Sequence, residues 1–367
     1  MEGEMTMKLA AVLALALAAG SAHADGANLR AALSVLPDTV FSASSPDVAR
    51  YLDLSALAAW HGGVLGPEAL ARATLGGGIR PIEAMALATP QDFAAKAGID
   101  SAALSFVAGL GRPPAAVSIW GFADDDAAAA AYSGLSAQGF SRLGLLPGML
   151  ANGEPNVTDI GARDPANPWR GQLGQASVVA RSGPTLLQAG DRAALAPVQE
   201  APAPALETPA GQTLLAALEA QQGAVLQAAF LGPYHGLGGI DPAILVGKTP
   251  DEAREALERA AAKANGGLPP WQGAALADLE ATDGPALILA LAYADCPTAQ
   301  AAAARSAALW QTMDPPPAGA AKAGHVETPS GCAAVLRAAS TDKPKGPFAQ
   351  AVFALMSGNL PPLRIGQ

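Results

Sequence analysis

Apolar runs of strand length alternate along this chain with alanine-rich runs of helical length. Val117 to Ala123 is such an apolar run, and a helix is expected to follow it from about 125 to 138. The same succession returns as a strand from Ala286 to Ala294 and a helix from 297 to 312. Further strands are expected over 176–181 and 332–338. Short apolar segments follow at Thr185–Gln188 and Phe348–Met356, the second equally suited to a helix. "DTVFSAS" (38–44) and "GAVLQAAF" (223–230) read as opening strands. Thr249-Pro250-Asp251-Glu252 starts one more helix, with Thr as N-cap, Pro in the first turn and Glu three after the cap. Glu255 and Arg259 lie one turn apart on the wet face of that helix.

The order of these elements repeats. Phe122-Ala123-Asp124 falls on Tyr293-Ala294-Asp295, "AGID" (97–100) echoes "GGID" (238–241), and "ASVVARSG" (176–183) echoes "CAAVLRAA" (332–339), with Arg181 on Arg337. The expected fold class is therefore α+β: two similar halves, each with helices packed on one face of a mostly antiparallel sheet. The halves run from 25 to 196 and from 211 to 367. Between them, residues 197–210, proline-rich from Pro197 to Pro209, read as a semi-rigid linker or long loop.

Composition adds a destination. From Met7 the chain reads "MKLAAVLALALAAGSAHADG": one Lys, an apolar run, then Ala22-His23-Ala24. That is a secretory signal peptide, residues 1–24, expected to be cleaved after Ala24, with the start at Met1 or Met7. No later segment is long and apolar enough for a membrane helix, and the leader looks bacterial, so the expected compartment is the periplasm. The chain carries a net charge of −10 and no basic cluster, which argues against nucleic acid as a partner. Apolar residues make up 50% of the sequence, enough for packed cores despite few aromatics.

Candidate chemistry is sparse. Asp124, Asp125 and Asp126 read as an N-cap and first turn rather than a metal site, because adjacent residues at a helix start point in different directions. Cys296 and Cys332 are the only cysteines, one at a strand end and one at a strand start. They are expected to form a disulfide, worth roughly 3 to 4 kcal/mol in the chain-entropy picture. "PAILVGKT" (242–249) misses the phosphate-loop pattern by its first glycine. Trp60-His61-Gly62 and Tyr234-His235-Gly236 share an aromatic-His-Gly pattern, so Trp60, His61, Tyr234 and His235 are candidate ligand contacts lining one cleft. Packed loop or core positions are the simpler account of all four. Trp169 and Arg170, in the loop 162–171, are a candidate partner contact if exposed.

"LPDTVF", Leu36 to Phe41, resembles the Leu-Pro-x-Asp-Thr opening strand of duplicated exported bacterial domains of unknown function, and that resemblance implies no activity. The expectation is a non-enzymatic binding or assembly module of the cell envelope, with no cofactor and with another envelope protein or a small molecule as partner. A periplasmic solute-binding protein is the alternative, and a hydrolase with a dispersed site a further one.

Overall fold

The structure is a computed structural model that describes residues 26–144, 148–238, 240–264, 266–317, 321–339 and 346–366. The expected signal peptide lies outside the described residues. Among the described residues twelve strands form one antiparallel sheet. The first seven are β1 (Val48–Asp53), β2 (Leu104–Leu110), β3 (Val117–Phe122), β4 (Ser141–Arg142), β5 (Met149–Ala151), β6 (Val178–Ser182) and β7 (Thr185–Ala189). The other five are β8 (Ala224–Leu231), β9 (Gly273–Ala281), β10 (Gly284–Tyr293), β11 (Ala321–Thr328) and β12 (Gly331–Ala339). Their spatial order is β11-β12-β10-β9-β8-β1-β2-β3-β7-β6-β5-β4.

β1 and β8 meet in the middle, with Val48 opposite Leu231 and Leu52 opposite Gln227. From that seam the order runs outward in matching fashion. One side gives β2, β3, β7 and β6; the other gives β9, β10, β12 and β11. The expected echo of Arg181 and Arg337 does not survive this order. Arg181 lies on β6 and Arg337 on β12, whereas the strand standing where β12 stands is β7. Alanine-rich strands resemble one another whatever their place, and that produced the false match.

Both faces of the sheet are covered, so the expectation of helices on one face is corrected. Neighbouring residues of β1 show why: Leu52 enters one core and Tyr51 the other. β9 and β10 are apolar on nearly every residue, as strands buried on both sides must be. Helices Leu54–Trp60, Pro90–Ala97, Pro250–Ala261, Cys296–Trp310 and Pro347–Met356 pack into the first core. Ala27–Leu33, Arg192–Gln199 and Pro209–Glu219 pack into the second.

The strand-to-helix junctions form as their residues dictate. Asp124 accepts from the Ala127 N–H at 2.8 Å and starts helix Asp125–Gly134, and Asp295 accepts from the Thr298 N–H at 2.8 Å. Thr249 and Glu252 close a full capping box. Phe348 to Met356 is helical. The Cys296 and Cys332 sulfurs stand at disulfide distance, with Cα atoms 5.0 Å apart, because β10 and β12 pair with Tyr293 opposite Cys332.

Residues 38–44 do not form the expected strand. Asp38–Phe41 is a single 3-10 turn, and the first strand begins only at Val48. The proline-rich stretch explains this. Leu36 and Asp38 spend their backbone groups on it: Ala205 N–H donates to Leu36 O at 2.7 Å and Asp38 N–H to Ala203 O at 3.0 Å. The stretch itself holds the end of helix Arg192–Gln199, this clasp, a 3-10 turn at Ala205–Glu207 and the start of helix Pro209–Glu219.

Candidate functional site: a polar cleft at Arg80

Between β1 and β2 the chain leaves the sheet and crosses the first core, and part of that excursion, "GGGIRPIE" (76–83), forms the wall of a cleft of about 620 Å³. Arg80 opens the short helix Arg80–Met85, and its backbone N–H donates to the buried Ser118 Oγ on β3 at 3.0 Å. The Arg80 guanidinium reaches across to Gln175 Oε1 at 3.0 Å. Glu83, one turn on, takes the Gly78 N–H on Oε1 at 2.8 Å. Asn156, Gln172 and Leu173 close the far side.

Two glycines keep the guanidiniums uncovered. Gly171 has φ +62°, and a side chain there would lie 2.7 Å from Arg80 Nη1. Gly78 has φ +78°, and a side chain there would lie 3.1 Å from Arg50 Nη1. Arg50 comes from β1 and donates to the Gly77 carbonyl. Both positions favour glycine by their left-handed backbone, and a side chain at either would press on the end of a guanidinium.

The electrostatics are unbalanced. Arg50, Arg80 and Glu83 leave one net positive charge around Gly78. Among the described residues neither Arg50 nor Arg80 is in an ion pair. Burial pulls the pKa of each guanidinium below its ordinary value, and the Glu83 charge offsets only part of that. A half-buried cation without a carboxylate partner costs free energy that a bound anion would recover.

Two other cavities offer less. The one of about 520 Å³ beside Tyr51 and Asp53 is rich in polar groups, but they already satisfy one another. Asp53 takes hydrogen bonds from Asn28 Nδ2 at 3.2 Å, Tyr51 Oη at 2.9 Å and the Ala56 N–H at 2.8 Å, and Arg30 pairs with Glu219 at 2.7 Å. The other, about 230 Å³, is lined by Tyr234, His235 and Arg364. Burial lowers the His235 pKa, and its Nε2 is buried without a hydrogen-bond partner.

The residues expected to form a site are scattered. His61 ends helix Leu54–Trp60 and pairs with Glu68 at 2.7 Å, while Trp60 covers the Arg72 guanidinium at 4.6 Å. Neither lines the cavity of Tyr234 and His235, so the two aromatic-His-Gly motifs do not share a cleft. Trp169 is not an exposed partner contact. It is 1% exposed, stacks on Trp120 with ring centroids 4.5 Å apart, and donates its indole N–H to Ala97 O at 2.9 Å. Arg170 turns inward to the Asn152 carbonyl. The loop 162–171 has no helix or sheet to hide behind, so it folds its largest side chain into the first core. Among the described residues no group of three or more His, Cys, Asp or Glu is placed to hold a metal ion.

Arg80, Glu83 and Arg50 were missed. The signal was present: three consecutive glycines running into Ile-Arg-Pro mark backbone that must pass close to something bulky. Searches of protein-family models, curated proteins and solved structures return no match for this chain.

Proposed function

We propose that this chain is an exported, non-enzymatic binding protein whose ligand is a small anion held in the Arg80 cleft. The observation that carries the reading is a half-buried guanidinium that faces a cleft of ligand size and has no carboxylate partner. Export to the periplasm by a leader cleaved after Ala24 belongs to the same reading. The cysteine pair at disulfide distance supports it, because such pairs persist in oxidising compartments. Among the described residues no helix is long and apolar enough to cross a membrane. Descent of the two halves from one ancestral unit is supported by the matching strand order on either side of the β1–β8 seam and by the shared aspartate caps.

The test is thermal unfolding of the exported chain with acetate and with inorganic phosphate, in the wild type and in Arg80→Met. A ligand that binds only the folded state at about 100 times its Kd adds about 2.7 kcal/mol. The expected result is a rise in Tm for the wild type and none for the variant. Equal responses in both proteins, or none in either from these or any other carboxylate-bearing ligand, refute the reading.

A further inference from the structure

We infer that the cleft selects α-amino carboxylates: a free amino acid, or a ligand with an α-amino acid end, rather than a bare anion. This rests on the anion-binding reading and narrows it. Arg80 and Glu83 are three apart on one short helix, which brings their Cβ atoms to about 5–6 Å. At that spacing an arginine and a glutamate ordinarily bridge. Here they do not, because each is held aside: Arg80 by Gln175 Oε1, and Glu83 by the Gly78 N–H. The result is a cationic and an anionic group side by side on one wall, with room between and in front of them.

A bare anion fits that wall badly. Seated on Arg80, it would stand against the Glu83 carboxylate, a like charge. An α-amino acid carries the complementary pair on adjacent carbons. Its carboxylate takes the guanidinium N–H groups that Gln175 leaves free, in the planar two-bond geometry arginine offers. Its ammonium donates to Glu83, whose Oε2 remains available while Oε1 holds Gly78. The rest of the cleft presents the carboxamides of Gln172 and Gln175, which both donate and accept, beside the apolar Pro114 and Leu173. The ligand side chain projects among these.

Isothermal titration of the full exported chain tests this. The probes are the common L-amino acids, each also as its N-methyl, N-acetyl and carboxamide form. At least one free amino acid should bind. Its N-methyl form, charged but bulkier, should bind within about threefold, and its N-acetyl and carboxamide forms about tenfold or more weakly. Glu83→Gln keeps an oxygen for Gly78. It should lower the affinity of the free amino acid and leave the N-acetyl form bound at least as tightly, because the like charge is gone, so that the two bind alike; retained N-acetyl binding also shows that the variant is folded. If acetate or the N-acetyl form binds as tightly as the free amino acid, and Glu83→Gln changes neither, the selectivity is refuted while anion binding stands. If neither the amino acids nor acetate and phosphate bind the wild type, both fall together.

Discussion

Arg72 and Arg80 lie in the same excursion between β1 and β2, both with half-buried guanidiniums, yet they meet opposite surroundings. Arg72 is closed in. Its side chain is 12% exposed and grips Asp278, itself 5% exposed, through Nε at 3.0 Å and Nη2 at 2.9 Å. It also reaches Glu280, while Gln227 links the Arg72 carbonyl to Asp278 and Trp60 covers the face of the guanidinium. Burial alone would lower its pKa, but the bonds to Asp278 and Glu280 outweigh it and raise it. Arg80 has one amide oxygen on its side chain and a cleft in front of it. A buried cation that already has its anions ties elements together; one without them bears a desolvation cost that no carboxylate offsets. Arg72 ties the excursion to β8 and β9 across the central seam, and Arg80, a few residues on, faces the cleft without such anions.

Breaking the closed cluster should have the largest effect. Arg72→Ala leaves the Asp278 and Glu280 carboxylates facing each other, one of them almost fully buried, with Gln227 unable to neutralise either. Removing one partner of such a pair costs about 3–5 kcal/mol. Urea unfolding should show that loss with an unchanged m-value. A cost below about 1 kcal/mol would place Arg72 with ordinary surface arginines and undo the contrast. Arg80→Met should behave otherwise. It removes a cation that burial already disfavours and one hydrogen bond, so stability should change by about 1 kcal/mol or less in either direction while ligand binding is lost. If Arg80→Met destabilised as much as Arg72→Ala, the cleft would be a structural joint.

The disulfide and the caps calibrate that scale. Reducing the Cys296–Cys332 pair should cost about 3–4 kcal/mol, since it ties the start of a helix to β12 and closes a loop with a sequence separation of 36. Unfolding with and without a reductant measures it. Asp124→Ala and Asp295→Ala should each cost about 1 kcal/mol, because each removes one 2.8 Å bond to an N-terminal helix amide. Unequal costs would mean that the matching junctions carry different loads.

These junctions were the legible part of the sequence. An apolar run, an aspartate and an alanine-rich stretch act within a dozen or so residues, and such local signals suffice to define β3, β10 and their helices. The disulfide was legible because two cysteines allow one pairing. What could not be read depends on distant partners. Residues 38–41 are strand-like in composition, yet the backbone of Leu36 and Asp38 at their start is claimed by Ala205 and Ala203. Trp169 looked like an exposed tip, yet Trp120 on β3 offered it a stacking partner. Asp278 and Glu280 alternate along an apolar strand, which hints at a paired charge on one face, but nothing local names Arg72 as that charge. The cleft is assembled from residues 78–83, 113–118 and 156–190, and no short window of sequence contains all three.

Asp53 supplies the acidic counterpart of the contrast and the smallest effect. It is 6% exposed and, like Arg72, fully partnered, but its partners Asn28, Tyr51 and the Ala56 amide carry no positive charge. Burial raises its pKa, and those hydrogen bonds lower it only in part. The folded state therefore holds the Asp53 proton to higher pH than the unfolded chain does. The stability from that proton is fully present below the unfolded pKa and is lost as pH rises through the folded one. Asn at this position keeps an oxygen for the Ala56 amide and caps helices about as well as Asp. The Tm difference between Asp53→Asn and the wild type should thus move in favour of the variant from about pH 3 to about pH 7. Any fixed packing difference cancels from that slope. A slope of the opposite sign would mean that the hydrogen bonds outweigh burial, so that neutral donors around a buried charge do what Asp278 and Glu280 do for Arg72. The division between closed and open charges would then rest on hydrogen bonding rather than on ion pairing.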